Sequence, residues 1–201
     1  MRPEQLWHEG LAHYKRDDFA GAEPWFRQLQ SEAPAAVDPD RLSLMLAACS
    51  HGQNRLLPAL QLLLPLLRAR RNDRWFANAL MHYGSLCFEL GLAQHWLQVS
   101  RALAVPFDPS GSLQDQQLVA MRGAARLLVG DLKGGWRDFE ARAAVGMSQG
   151  PNIPLPRWSD PESGDQPRLL LLADQGFGDL LFSLRFVPLL RQRVATLTLA
   201  C

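Results

Sequence analysis

Cysteine is scarce in this chain: Cys49, Cys87 and Cys201 are the only three in 201 residues, and none sits in a CxxC spacing. An odd count without paired spacing argues against a disulfide framework and against a cysteine-rich zinc site. Cys49 and Cys87 are expected to be small buried helix residues. Net charge is equally scant, at +1, and although arginine outnumbers lysine the arginines are scattered. No pull toward nucleic acid or an anionic membrane follows from that balance. Long hydrophobic runs are missing too. The longest apolar stretch, Leu56 to Leu67, is interrupted by Pro58, Gln61 and Pro65, well short of the roughly 20 residues that span a bilayer. The first residues, MRPEQLWHEGLAHYKRDD, hold no apolar core of signal-peptide length. A soluble, cytoplasmic protein without a membrane span is expected. The five histidines, His8, His13, His51, His82 and His95, show no HExxH or other ligand spacing, so no metal is expected.

What is present is an ordinary globular balance, 47% hydrophobic and 20% charged. The length suffices for one large or two small domains with a real core. The first 147 residues carry a recurring pattern. In LWHEGLAHYKRDDFAGAEPWFRQLQSEAP, Gly10 lies in the first apolar stripe, Phe19 follows a polar turn, Ala22, Phe26 and Leu29 follow at helical spacing, and Pro34 closes the unit. The frame returns with Ala47, Gly84 and Gly123 in the place of Gly10, at offsets of 37, 37 and 39 residues. Gly91 and the Gly130-Asp131 pair fall where a turn between two helices would sit. Small residues let two antiparallel helices approach, and aromatics fill the space beside the crossing.

This arrangement resembles the tetratricopeptide repeat, whose usual period is about 34 residues. The first unit matches well and the fourth fairly; the second and third are degenerate, with Trp96 where a small residue is expected. A helical bundle without repeats is the alternative. The resemblance implies a protein or peptide partner on the concave face made by each first helix. Trp7, Leu11, Tyr14, His51 and Phe88 would lie there. Packing of Trp7 and Tyr14 on a neighbouring unit is the competing reading.

From 148 to 167 the composition shifts to proline and glycine, and the segment reads as a linker. Arg168 to Ala173 then reads as a strand buried on both faces, Asp179 to about Arg191 as a helix that Pro188 kinks or restarts, and Ala195 to Cys201 as a second strand. The order implies a parallel pair. The expected fold class is therefore mainly α: a tetratricopeptide-like α-solenoid at 1–147, a proline-rich linker at 148–167, and a short Rossmann-like βαβ fragment at 168–201.

GWRDFEAR (Gly135 to Arg142), PRW (Pro156 to Trp158) and LLLLADQGFGDLLFSLRFVPLL (Leu169 to Leu190) occur in that order. Together they resemble the junction in bacterial proteins that join tetratricopeptide repeats to a GT-B glycosyltransferase-like domain, related to heptosyltransferases and more loosely to O-GlcNAc transferases. The match covers about a third of the chain. The family loop reads Glu-Gln-Gly-x-Gly-Asp; here Asp174 stands where glutamate is usual, which leaves that carboxylate without a carried-over role. The resemblance implies that Asp179 acts as general base on an acceptor hydroxyl and that Gly176 and Gly178 let the backbone approach a ligand, with a nucleotide sugar as donor and no cofactor in the chain. Two other readings stand beside it. Asp179 can serve only as the N-cap of the following helix, with the glycines simply making the βα turn. The turn is also the first part of a dinucleotide-binding GxGxxG, although Leu181 replaces the third glycine. The α/β part is much shorter than the two halves of a GT-B enzyme. The expectation is the front of a longer transferase, inactive and without donor binding as 201 residues; a non-catalytic scaffold is the alternative.

Overall fold

The computed structural model describes residues 1–69, 73–146, 153–156, 158, 166–173 and 176–200. Most of the proline-rich linker, Asp174, Gln175 and Cys201 lie outside the described residues. The chain divides into two compact units, Met1–Ala141 and Arg142–Cys201.

The first unit is a succession of helices: α1 (Pro3–Tyr14), α2 (Phe19–Glu32), α3 (Pro39–Gly52), α4 (Leu56–Ala69), α5 (Asp73–Glu89), α6 (Ala93–Ala102), α7 (Leu113–Leu128) and α8 (Leu132–Phe139). Their starts follow from local chemistry. Asp18 caps α2 through Gly21 N–H, Asp131 caps α8 through Gly134 N–H, and Asp38 caps α3 with Pro39 in the first turn. At α7, Ser112 and Asp115 form a reciprocal capping box. α4 runs through Pro65 without ending, because its packed apolar face outweighs the one lost backbone bond.

Each helix packs on the next, and α3 also packs on α5 and α5 on α7. Within three of the pairs the crossing is closed by glycine. A Cβ on Gly10 would meet the Phe26 ring, one on Gly84 would meet Trp96 and Met121, and one on Gly123 would meet the Phe139 backbone. Ala47 fills the same place between α3 and α4 and is fully buried. The turns repeat as faithfully. Asp17, Asn54, Gly91 and Gly130 all have positive φ, at 58°, 58°, 71° and 87°. They recur at the offsets of the small residues. After each one, an N–H reaches back five residues to a helix carbonyl: Asp18 to His13, Arg55 to Ser50, Leu92 to Cys87 and Asp131 to Arg126. This is the Schellman closure, which favours glycine or asparagine at the left-handed position. Two cores result. One joins α1, α2 and α3 around Leu6, Phe26 and Leu46; the other runs from α3 to α7 around Leu63, Leu80 and Trp96.

The second unit has two parallel strands, β1 (Arg168–Leu172) and β2 (Thr196–Ala200), paired in register from Arg168 opposite Thr196 to Leu172 opposite Ala200. Between them lie α9 (Phe177–Leu184) and α10 (Val187–Arg191). Two sequence expectations are corrected here. β1 is half-buried, not buried on both faces, because a two-stranded sheet has no second layer to cover it. The stretch is two short helices, so Pro188 restarts the helix, one of the two outcomes expected of it. The stretch starts at Phe177, before Asp179, and breaks at Arg185 and Phe186 so that Pro188 falls in the first turn of α10, where its missing N–H costs nothing.

Candidate functional site

The five residues assigned to the face of the first helices have different fates. Trp7 lies in the core at 9% exposure, its ring 5.3 Å from that of Phe26 and with the Arg41 guanidinium 4.3 Å above it. Leu11 and Tyr14 pack against the same core. Tyr14 meets Phe19 edge-on, and burial, reinforced by Cys49 and Asp17, pushes its hydroxyl pKa up. Phe88 is half-buried, edge-on to Trp96 at 6.0 Å.

His51 is the centre of a polar network. Its Nε2 stands 2.7 Å from Glu89 Oε1, and its Nδ1 stands 3.0 Å from Nε2 of His82, with the two rings stacked at 5.1 Å. Glu89 can only accept, so Nε2 of His51 carries a proton. In the neutral ring Nδ1 then accepts from His82 Nε2–H. His82 is held neutral: burial, then the neighbouring His51, lowers its pKa to about 4. A second proton on the pair would set two N–H groups against each other. The network spans α3 and α5, and nothing in the sequence pairs residues 31 and 38 positions apart, so it was not legible before the fold. The two described thiols, Cys49 and Cys87, are buried and poorly suited to act as nucleophiles. Burial lifts both Cys49 and Cys87 to about 11, leaving them protonated near neutrality.

The glycine turn lies at the carboxyl end of β1. Gly176 is the N-cap of α9, with φ −77° and ψ 166°. That backbone is extended, so Gly176 does not use the positive φ open to glycine. Asp179 is the third helical residue, not the cap; its N–H bonds to the Gly176 carbonyl at 3.1 Å. The negative charge suits the first turn of a helix. Its carboxylate is exposed and has no hydrogen-bond partner among the described residues. A Cβ on Gly176 would meet only Asp179 Oδ2, at 3.8 Å, and one on Gly178 would meet nothing within 4 Å. Neither φ nor packing inside the described chain demands glycine here.

The same unit has a crevice of about 480 Å³ lined by Leu171, Leu184, Val187, Arg191, Val194 and Thr196, which includes no residue of the glycine turn. Among the described residues no group of three or more His, Cys, Asp or Glu side chains could hold a metal ion. No helix among them is long and apolar enough to cross a membrane. No protein-family model matches the chain, and no curated protein matches it either.

Proposed function

We propose that this chain is the repeat-bearing, protein-binding region and the first βαβ element of a nucleotide-sugar-dependent glycosyltransferase. The observation that carries the reading is the turn after β1. Gly176 and Gly178 leave open room beside the first turn of α9, and Asp179 stands exposed in that turn. Glycine that neither backbone nor packing requires is explained by the close approach of something else. Ligands of open parallel sheets bind at the carboxyl ends of the strands. In this mechanism Asp179 removes the proton of an acceptor hydroxyl as its oxygen attacks the anomeric carbon, and the donor's phosphate leaves with the electron pair. The backbone at Gly176 and Gly178 lies against the donor or acceptor.

The repeated crossings and left-handed turns of α1 to α8 support a tetratricopeptide-like α-solenoid. Its role is to recruit a protein or peptide, with Leu11, Tyr14, His51 and Phe88 the partly accessible members of the recruiting face and Trp7 the residue that fixes it from beneath. The scaffold reading, without catalysis, is favoured by the absence of a side-chain partner to orient the Asp179 carboxylate among the described residues.

A transfer assay on the full-length gene product, with a panel of nucleotide-sugar donors, separates the two. Asp179→Asn is expected to lower turnover by roughly 10²–10⁴-fold, the usual worth of general base catalysis. Its melting temperature should move little, because the carboxylate is exposed. Unchanged turnover would remove Asp179 from the chemistry. No transfer with any donor would leave the scaffold.

A further inference from the structure

A groove of about 570 Å³ lies between α6 and α7. On its α6 side are Gln94, Gln98 and Arg101; on its α7 side are Arg122 and Arg126. The α7 arginines are not free to wander. Asp138 of α8, only 6% exposed, accepts from Arg122 Nε at 2.6 Å, Arg122 Nη2 at 2.9 Å and Arg126 Nη1 at 2.6 Å. Arg122 is also stacked on Phe107, 4.2 Å from the ring centroid. One buried carboxylate therefore holds two like-charged groups side by side. Asp131 offsets part of the remaining charge, 3.6 Å from Arg126 Nε. Arg101 has no ion-pair or hydrogen-bond partner for its side chain among the described residues. Three guanidinium groups face two carboxylates, so the groove carries a positive surplus.

Among the described residues, Arg122 Nη1, Arg126 Nη2, the Arg101 guanidinium and the side-chain amides of Gln94 and Gln98 make no hydrogen bond, and all five side chains line the groove. A carboxylate, with two oxygens, would be satisfied by one guanidinium fork. A phosphate monoester offers three strong acceptor oxygens and close to two negative charges, which suits three guanidinium groups on two walls. We propose that the α6–α7 groove is a phosphate-binding site, taking either free phosphate or a phosphorylated serine or threonine side chain. The ordering of the α7 arginines by Asp138 lowers the entropy cost of binding. The site is independent of the glycine turn and of the transferase reading.

The test is an NMR titration of the 201-residue chain, following arginine Nε–Hε signals at constant ionic strength. Inorganic phosphate is the first probe and O-phosphoserine the second. Arg101, Arg122 and Arg126 should shift saturably with one dissociation constant. Arg27 and Arg55, which share Glu23 outside this groove, should not move. Arg101→Gln should weaken phosphate roughly tenfold, the worth of one charge-assisted contact. Arg101 is exposed and unpaired, so the variant should melt with the parent. Tighter binding of O-phosphoserine would assign the site to a phosphorylated side chain, and equal binding to free phosphate. Linear, unsaturated shifts, equal shifts at Arg27 and Arg55, or unchanged affinity in Arg101→Gln would overturn the proposal.

Discussion

The helix pairs of Met1–Ala141 and the βαβ unit of Arg142–Cys201 are both rich in leucine and phenylalanine, yet they bury them differently. In the first unit Phe26, Leu63, Leu80 and Trp96 are fully enclosed. In the second, Val194 is the only described apolar residue that is buried, while Phe177, Phe182, Phe186 and Leu189 are exposed. Hydrophobic content does not create a core; layers do. Each inner helix of the first unit has a neighbour on both sides in the succession, so its apolar stripe is covered. Two strands and two short helices make a layer and a half, too little to cover their own apolar side chains.

The sharpest way to break this contrast is truncation of one large side chain in each region. Trp96 is fully buried and its indole N–H donates to Leu80 O at 3.2 Å. Trp96→Ala is expected to cost about 3–5 kcal/mol in urea unfolding. Phe182→Ala should change stability by no more than about 0.5 kcal/mol, as exposed positions do. A large loss at Phe182 would show that its face is shielded from water.

Glycines make the same comparison at smaller scale. In Gly123→Ala the new methyl would land 2.4 Å from the Phe139 backbone nitrogen. The α7–α8 crossing must open, at a cost of about 2–3 kcal/mol. Gly178→Ala meets nothing within 4 Å, and replacing a glycine in the first turn of α9 should gain at most about 1 kcal/mol. Thermal unfolding of both variants checks the pair. An equal loss at Gly178 would mean that its open room is filled in the folded protein.

A pH dependence is expected within the first unit. His82 has a folded pKa of about 4, depressed from an ordinary 6.5. Its contribution is complete above pH 6.5 and is lost as pH falls toward 4, because the unfolded chain takes up the proton first. Between pH 7.5 and 4.5 the parent should lose about 2 kcal/mol more than His82→Gln. Identical pH profiles would show that His82 does not titrate in isolation from the unfolded state.

Several parts of this architecture are local and were therefore readable in advance. The crossings at Gly10, Ala47, Gly84 and Gly123 were marked by small residues at fixed offsets. The turns at Gly91 and Gly130 were marked by glycine, and Asp17 and Asn54 take the same left-handed place because short polar side chains tolerate it. The parallel pair was implied by strand, helix, strand. The start of α9 was misplaced because an aspartate after glycine looks like a cap, while the backbone of Gly176 itself does the capping.

The sequence by itself determined where the helices pair and turn, since those features depend on contacts a few residues apart and on backbone φ. Tertiary structure alone decided what the side chains do. Trp7 is covered by Phe26 of α2 and, from α3, by the Arg41 guanidinium over its ring. His51 meets His82 and Glu89 because α3 packs on α5. Arg122 and Arg126 share one carboxylate because α8 folds back on α7. Each of these depends on the packing of separate elements, and burial and charge pairing across such distances leave no periodic mark in the chain.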